Sequence, residues 1–243
     1  MSLALPHLSR KPVIVEINLT IAPGYDPVSV FNNLVSLNTM HDLFSEVNGL
    51  ECIPIKGGEL HYKKYLPLGI TSEKALQELI EETPWQSETI VMWGKNFQQP
   101  RLVAWYGDAG LDYTYSGIRL NPMPWTKLLL AIKAAVESIS GTSFNSVLLN
   151  YYRDNRDSMG FHSDDERELG EQPVIASLSL GCARTFVLKH KVDKNIQPLR
   201  IKLGSGSFLL MKGETQRNWK HGINKETQTC GPRVNLTFRN IKK

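Results

Sequence analysis

The 243-residue sequence carries 28 Lys and Arg against 24 Asp and Glu, a formal net charge of +4, and 41% hydrophobic residues. This suits one large domain, or one domain with an N-terminal extension, that buries a core without disulfides. Cys52, Cys182 and Cys230 lie far apart with no CxxC pair, which argues against a disulfide framework or a zinc ribbon. No stretch approaches the roughly 18 apolar residues of a membrane span, so we expect a soluble, intracellular protein with no membrane partner.

The first 59 residues have a weak pattern, which we interpret as an N-terminal extension whose role the sequence does not indicate. Within it, Val13 to Ile21 is a candidate strand, and the apolar spacing of residues 30–40 fits a helical face. We expect the main domain to cover residues 60–243. Its first predicted helix is capped by Thr71 and ends near Pro84.

In the rest of the chain, the sequence pattern changes from helical to strand-like. ETIVMWG and RLVAWYGD are predicted as a hairpin or as successive strands separated by KNFQQP, and residues 126–140 have helical spacing that stops at Gly141. From Ser146 onward the helical period is replaced by five short β-rich runs: SVLLNYY, VIASLSLG, RTFVLKH, LRIKLGSGSFLLMKG and RVNLTFRNI. This order predicts an α+β fold in which N-terminal helices flank a jelly-roll core (a double-stranded β-helix) at about residues 144–243.

The segment GFHSDDERELGEQ, residues 160–172, places several carboxylates around one histidine. His162 and Asp164 are two apart, so in an extended segment both side chains point to the same side. A second histidine, His221, follows after three strand-like runs, where a rolled sheet can return it. Two imidazoles and one carboxylate form the facial triad of non-haem Fe(II) sites. The alternatives are a solvated acidic loop and a zinc hydrolase that uses the same three residues.

The last strand-like run, PRVNLTFRN, alternates polar and apolar residues. Its polar positions are Arg233, Asn235, Thr237 and Arg239, and its apolar positions are Val234, Leu236 and Phe238. The two sets therefore face opposite sides of a sheet. Two guanidiniums inside a barrel require an anion, and a dicarboxylate pairs well with guanidinium forks. An edge strand with a solvated basic face is the alternative.

The segment GFHSDDERELGEQPVIASLSLGCARTFVLKHK, with WKHGIN and PRVNLTFRNI, closely resembles the AlkB family of Fe(II)- and 2-oxoglutarate-dependent nucleic-acid dealkylases, most of all its homologue 2 and 3 branch. The likeness includes PRLVAWYGDAGLDYTYSG and NSVLLNYYRD and covers about residues 85–241. It implies that His162, Asp164 and His221 hold Fe(II) as the catalytic centre. It implies that the 2-oxoglutarate ligands are Asn150, Tyr152, Arg233, Asn235, Thr237 and Arg239, with Arg233 on the far carboxylate and Arg239 near the metal.

The resemblance also implies the reaction. With O2, and with ascorbate as reductant in assays, decarboxylation of 2-oxoglutarate would give succinate and an Fe(IV)-oxo species that hydroxylates the N-alkyl group of 1-methyladenine or 3-methylcytosine, releasing formaldehyde. The protein supplies orientation and excludes water. The expected partner is alkylated DNA, single- or double-stranded, and the expected state is a monomer, nuclear in a eukaryote and otherwise cytoplasmic. The alternatives are an RNA or protein demethylase and a non-catalytic nucleic-acid-binding module.

Substrate contacts follow from the same resemblance, in hairpins at about residues 85–125. Tyr115, where the homologue 2 branch usually has Phe, would stack on a flipped base, and Tyr113 would contact it through its hydroxyl. Trp93 would fill the gap that the flipped base leaves in the stack. Asp165 and Glu166 would lie beside the exocyclic nitrogen and favour cationic lesions.

The basic residues of the C-terminal quarter suggest a polyanionic binding partner. From Arg184 to Lys243 there are 14 Lys and Arg against three acidic residues, although lysines that keep strand edges soluble would give the same count. The predicted phosphate contacts are Arg101, Lys189, His190, Lys191 and Lys194. Such contacts position nucleic acid without specifying its sequence. Asp157, Glu168 and Glu171 are predicted to be solvated loop residues.

Overall fold

The computed structural model describes residues 49–87, 89–92, 95–111, 113–115, 118–120 and 122–242; within 89–97 and 113–120 only the backbone is described. The candidate strand and helix predicted within residues 13–40 lie outside these ranges. The predicted boundary between residues 59 and 60 falls inside a strand, Glu59–Lys63. Among the described helices, none is long and apolar enough to cross a membrane.

Three α-helices and fifteen strands are present in the described residues. The helices are α1 (Ser72–Glu82), α2 (Lys127–Ser140) and α3 (Thr215–Asn218). The strands are β1 (Glu51–Ile53), β2 (Glu59–Lys63), β3 (Thr89–Met92), β4 (Lys95–Gln98), β5 (Leu102–Gly107), β6 (Tyr113–Tyr115), β7 (Ile118–Leu120), β8 (Ser146–Tyr152), β9 (Met159–His162), β10 (Ile175–Gly181), β11 (Arg184–His190), β12 (Leu199–Leu203), β13 (Phe208–Lys212), β14 (Trp219–Ile223) and β15 (Arg233–Arg239).

The two longer helices begin and end at the predicted signals. The hydroxyl of Thr71 accepts a hydrogen bond from the backbone N–H of Lys74, and that of Thr126 accepts one from Leu129, each at 3.2 Å. Gly141 ends α2 with a φ of 64°, a left-handed conformation that glycine adopts without steric cost. Local capping chemistry therefore fixes both helices where the sequence places them.

The strands form two main antiparallel sheets, which confirms the predicted α+β fold with a jelly-roll core. The major sheet has the order β1-β2-β13-β10-β15-β8-β5, and the minor sheet has the order β12-β11-β14-β9. In addition, β3 pairs with β4 and β6 pairs with β7.

Two hydrophobic cores flank the major sheet. In one, Leu79 of α1 and Ile132 of α2 share a buried cluster with Leu236 of β15. In the other, Leu148 of β8 shares a cluster with Phe186 of the minor sheet. One face of the major sheet is thus covered by helices, while the other faces the minor sheet and the interior of the jelly roll.

Two details of the strand prediction were wrong. KNFQQP is not merely a separator, because its residues 95–98 form β4 and pair with β3, while RLVAWYGD forms β5 and pairs with β8. The single run LRIKLGSGSFLLMKG is two strands, β12 and β13, which belong to different sheets. Gly206, with a φ of 80°, lies in the turn between them, where a residue with a side chain would be strained.

Candidate active site

The predicted metal ligands come together where the end of β9 and the segment after it face the middle of β14. His162 ends β9 and lies directly opposite His221 of β14 in the strand register. Nε2 of His162 is 3.9 Å from Oδ1 of Asp164, and Nε2 of His221 is 3.8 Å from Oδ2 of the same carboxylate. One ligand atom from each residue lies within 4.8 Å of the others, which is the arrangement of a three-ligand metal site.

Neighbouring groups orient these three side chains. Nδ1 of His162 lies 2.9 Å from the carbonyl oxygen of Gly160, which directs Nε2 towards Asp164. The backbone N–H of Asp164 donates to Oε1 of the buried Gln216 at 2.9 Å, and Nη2 of Arg239 donates to Oδ1 of Asp164 at 2.6 Å. Oδ2 of Asp164 is buried and has no hydrogen-bond partner, so it is available to a cation.

The electrostatics keep Asp164 and His221 in their metal-binding protonation states. Burial tends to raise the pKa of Asp164, but Arg239 and the two histidines lower it to about 2. Burial, with repulsion from His162, lowers the pKa of His221 to about 3. At neutral pH the carboxylate is therefore ionised and the His221 imidazole is neutral, as metal coordination requires.

The triad lines a cavity between the sheets together with polar residues of the last strand. The other polar lining residues are Tyr152, Ser177, Arg233, Asn235, Thr237 and Arg239. Because β15 lies between β10 and β8, and Arg233 and Arg239 are 1% and 4% exposed, the alternative of a solvated edge strand is excluded. The predicted alternation therefore turns every polar residue of β15 into the jelly roll.

Arg233 has unused hydrogen-bonding capacity inside this cavity. Its Nη2 donates to the hydroxyl of Ser179 at 3.0 Å, while Nε and Nη1 are buried without a partner. The guanidinium carbon lies 4.9 Å from the ring centroid of Tyr152. Burial lowers the pKa of Arg233, but an arginine remains charged. A buried cation with free donors is costly unless an anion pairs with it.

Of the remaining predicted 2-oxoglutarate ligands, Asn235 and Thr237 line the cavity, while Asn150 lies behind the lining. Nδ2 of Asn235 donates to the hydroxyl of Ser177 at 2.8 Å, and Thr237 donates to Oδ1 of Asn235 at 3.0 Å. Asn150 lies opposite Asn235 in the register of β8 and β15. Its Oδ1 accepts a hydrogen bond at 2.7 Å from Nε of Arg101, so Asn150 belongs to the wall behind the cavity lining.

The chain matches a known oxygenase superfamily over most of its length. The model of the 2OG-Fe(II) oxygenase superfamily matches residues 59–239. Human alpha-ketoglutarate-dependent dioxygenase alkB homolog 3 is 43% identical over 174 residues, which are 68% of this chain and 60% of that protein. Human DNA oxidative demethylase ALKBH2 is 40% identical over 179 residues, which are 70% of this chain and 69% of that protein.

The chain belongs to the AlkB family, in its ALKBH2 and ALKBH3 branch. It spans about 60% of the length of the homolog 3 relatives that it matches. The Arabidopsis thaliana ALKBH2 is 35% identical over 209 residues, 75% of this chain and 66% of that protein. A solved structure of OsALKBH1 has the same fold, with a TM-score of 0.54 and 17% identity over 78% of this chain and 99% of that one.

The predicted substrate residues of this AlkB-family chain are only partly described. Trp93 lies outside the described residues, as do the side chains of Tyr113 and Tyr115 in β6. Asp165 is exposed, and its Oδ2 lies 2.8 Å from Nζ of Lys191. Glu166 is half-buried at the start of the 3₁₀ turn Arg167–Leu169. The roles of these residues stay predictions.

Two predictions for polar residues disagree with the structure. Arg101 was predicted to contact phosphate, but it is 5% exposed and its Nε is engaged by Asn150. Asp157 was predicted to be solvated, but it is 5% exposed and accepts hydrogen bonds from the side chain of Arg153 at 2.8 and 2.9 Å. Arg101 is turned inward by Asn150 of the neighbouring strand β8, and Asp157 is turned inward by its ion pair with Arg153.

The other predicted phosphate contacts lie at the end of β11 and beyond it. Lys189 is exposed, with Nζ 3.9 Å from the ring centroid of Phe161, and Lys194 is also exposed. His190 is half-buried, and its Nδ1 accepts the backbone N–H of Asp193 at 2.9 Å. Both lysines are exposed, while one His190 nitrogen is used within the protein, and the phosphate contacts stay predictions.

Proposed function

We propose that this AlkB-family protein is an Fe(II)- and 2-oxoglutarate-dependent oxidative demethylase that acts on N-alkylated bases of DNA. The observation that carries the proposal is the shared cavity, in which a His, Asp and His set lies beside a buried arginine with two unpaired donors. A zinc hydrolase would need the three metal ligands but would give no role to the unpaired donors of Arg233.

The residues present fit an iron ion. His162, Asp164 and His221 would hold it, because the two imidazoles and the carboxylate converge and Oδ2 of Asp164 has no other hydrogen-bond partner. When bound with 2-oxoglutarate, Fe(II) activates dioxygen for hydroxylation of an alkyl carbon. Gln216 and Arg239 hold the Asp164 segment and its carboxylate in place, so the chain presents its ligands already oriented.

The residues also fit 2-oxoglutarate. Nε and Nη1 of Arg233 would bind its far carboxylate as a fork, since both are buried and unpaired. Tyr152 packs against this guanidinium and limits its movement. Asn235 and Thr237 line the same cavity and hydrogen-bond each other, so they would form the wall beside the ligand.

Support for a DNA substrate comes from two sources. Relatives 39–40% identical to the chain are named DNA oxidative demethylases. The exposed Lys189 and Lys194 are suited to phosphate, and the exposed Asp165 is suited to a cationic base such as 3-methylcytosine. Hydroxylation of the N-methyl group would give a hemiaminal that loses formaldehyde and restores the base.

The test is formaldehyde and succinate release from matched oligonucleotides. The protein would be assayed with Fe(II), ascorbate and 2-oxoglutarate on 3-methylcytosine in single-stranded DNA, duplex DNA and RNA, with Asp164→Asn as the metal-ligand control. We expect turnover on DNA and none in the variant. Circular dichroism would establish that the variant is folded, since Asp164 is the counter-charge of the buried Arg239. Turnover on RNA alone would replace DNA as the substrate, and silence on all three would reject the proposal.

A further inference from the structure

Arg184 is a fully buried cation next to the active site that the proposed chemistry does not use. It opens β11 and is 0% exposed. Its guanidinium donates to three backbone carbonyls: Nη1 to Asp154 at 3.2 Å, and Nη2 to Asp157 at 2.8 Å and to Asn224 at 2.6 Å. It therefore joins the segment that follows β8 to the segment that follows β14, the strands that carry Tyr152 and His221.

Arg184 also contacts the aromatic ring that borders the cavity. Its guanidinium carbon lies 5.6 Å from the ring centroid of Tyr152, and that of Arg233 lies 4.9 Å from the same centroid. Tyr152 itself is 1% exposed. One aromatic side chain thus contacts two buried cations, and each contact is of the attractive cation–π type.

The two arginines leave a surplus of positive charge behind the cavity. Oε1 of Glu226 lies 3.6 Å from Nε of Arg184, whereas Arg233 has two buried donors with no hydrogen-bond partner. Arg184 repels the charge of Arg233, which costs free energy while the cavity holds no anion. An anion that reached Arg233 would be attracted by both guanidiniums.

We propose that Arg184 is a positioning residue for the far carboxylate of 2-oxoglutarate. It acts through Tyr152 and Arg233: it fixes the tyrosine ring against the second guanidinium and adds a second positive charge behind the anion site. The inference rests on the proposed function, because it takes Arg233 as the anchor of the dicarboxylate. Arginine suits this position because its planar fork reaches three carbonyls at once, which a lysine ammonium on a flexible stem does not reproduce.

A purely structural role would have a different signature. If Arg184 only joined two segments, its loss would loosen the site and weaken the binding of every 2-oxo acid alike. If it serves the far carboxylate, its loss weakens a dicarboxylate far more than a monocarboxylate of the same chain length. The pair 2-oxoglutarate and 2-oxopentanoate makes this comparison, since they differ only in the far carboxylate.

The experiment measures the dissociation constants of both acids by calorimetry on the full chain loaded with Mn(II) in place of Fe(II), so that no turnover occurs. Arg184→Met is expected to raise the dissociation constant of 2-oxoglutarate by at least about tenfold and that of 2-oxopentanoate by less than about twofold. The first figure follows from the loss of one buried charge. Arg184→Lys, which keeps the charge, should recover part of the loss. Arg156→Met removes an arginine of the same segment whose side chain is 82% exposed, and it should change neither constant.

Melting temperatures of all variants would be recorded alongside. Equal weakening of both acids, or no weakening of 2-oxoglutarate in a folded variant, would overturn the proposal. If Arg184→Met does not fold, Arg184→Lys and Arg184→Gln are compared by the ratio of the two dissociation constants. The uncharged Arg184→Gln should lose more of its preference for 2-oxoglutarate. Failure of the unmodified protein to bind 2-oxoglutarate at all would instead reject the proposed function, so the two failures are distinguishable.

Discussion

Nη2 of Arg239 donates a hydrogen bond to Oδ1 of Asp164 at 2.6 Å, and the two side chains are 5% and 1% exposed. The contact joins the end of the last strand, β15, to the segment that carries the metal carboxylate. Both partners are desolvated, so each depends on the other for compensation of its charge. Removal of one partner therefore costs more than the attraction between them would suggest.

Arg239→Gln is expected to lower the free energy of unfolding of the metal-free protein by about 3 to 5 kcal/mol, because the Asp164 carboxylate loses its buried counter-charge. Urea denaturation measures the change. The matched control is Arg217→Gln, which breaks an ion pair with Glu214 whose side chains are 74% and 44% exposed. That variant should change the free energy of unfolding by less than about 1 kcal/mol. Equal losses in the two variants would contradict the expectation.

His221 should make stability depend on pH in a defined direction. Its pKa falls from 6.5 to about 3 on folding. Between these values the unfolded chain binds a proton that the folded one does not, so the free energy of unfolding decreases as pH falls below 6.5. The slope is at most about 1.4 kcal/mol per pH unit. Below pH 3.8, Asp164 adds a second loss of the same sign, because its pKa is also lowered.

The measurement is urea denaturation of the metal-free protein between pH 7 and pH 5, with His221→Gln for comparison. This range lies above the titration of Asp164, so the difference between the two proteins reports His221. The variant should show a shallower decrease. Identical slopes would mean that the buried imidazole takes up its proton as readily as in the unfolded chain.

Local sequence signals predicted the structure correctly where the residues involved belong to a single helix or strand. Thr71 caps the helix that it was predicted to cap, and Thr126 caps the helix predicted over residues 126–140, since each cap and the N–H group that it satisfies are three residues apart. The alternation in β15 turned Arg233 and Arg239 into the jelly roll, because a strand's side-chain period is fixed at two. The pairing of His162 with His221 needed the resemblance to a known family, since their spacing alone is weak.

Residues whose role depends on distant loops could not be predicted. Arg184 looked like one basic residue among many, and only the return of the segments at 154–157 and 224 buries it. Gln216 lies in α3, a single helical turn, and its partner, the backbone of Asp164, is 52 residues away. Arg101 is turned inward by Asn150 of the neighbouring strand. No periodic pattern encodes such contacts.

Gln216 contacts the segment that carries the metal carboxylate. Its Oε1 accepts the backbone N–H of Asp164, and its Nε2 lies 3.4 Å from Sδ of Met211. Gln216→Met removes the acceptor at similar volume, so the Asp164 segment is less well fixed. We expect Mn(II) to bind about 10- to 100-fold more weakly, as for other groups that orient metal ligands. Calorimetric titration measures this.

The control for Gln216 is Gln197→Met, which changes the same residue type at an exposed position. It should leave Mn(II) affinity and melting temperature unchanged. Gln216→Glu keeps an acceptor oxygen and tests whether the hydrogen bond or the amide matters, although it brings a second carboxylate near Asp164. Unchanged Mn(II) binding in a folded Gln216→Met protein would show that the hydrogen bond does not orient the ligand.

Lys191 competes for the carboxylate predicted to face the damaged base. Its Nζ lies 2.8 Å from Oδ2 of Asp165. Lys191→Met frees Asp165 for a cationic base, so kcat/KM for 3-methylcytosine relative to the neutral 3-methylthymine should rise by roughly threefold. Lys194→Met removes a nearby exposed charge without touching Asp165, and its ratio should equal that of the unmodified protein. The same ratio in both variants would mean that Asp165 does not sense the charge of the lesion.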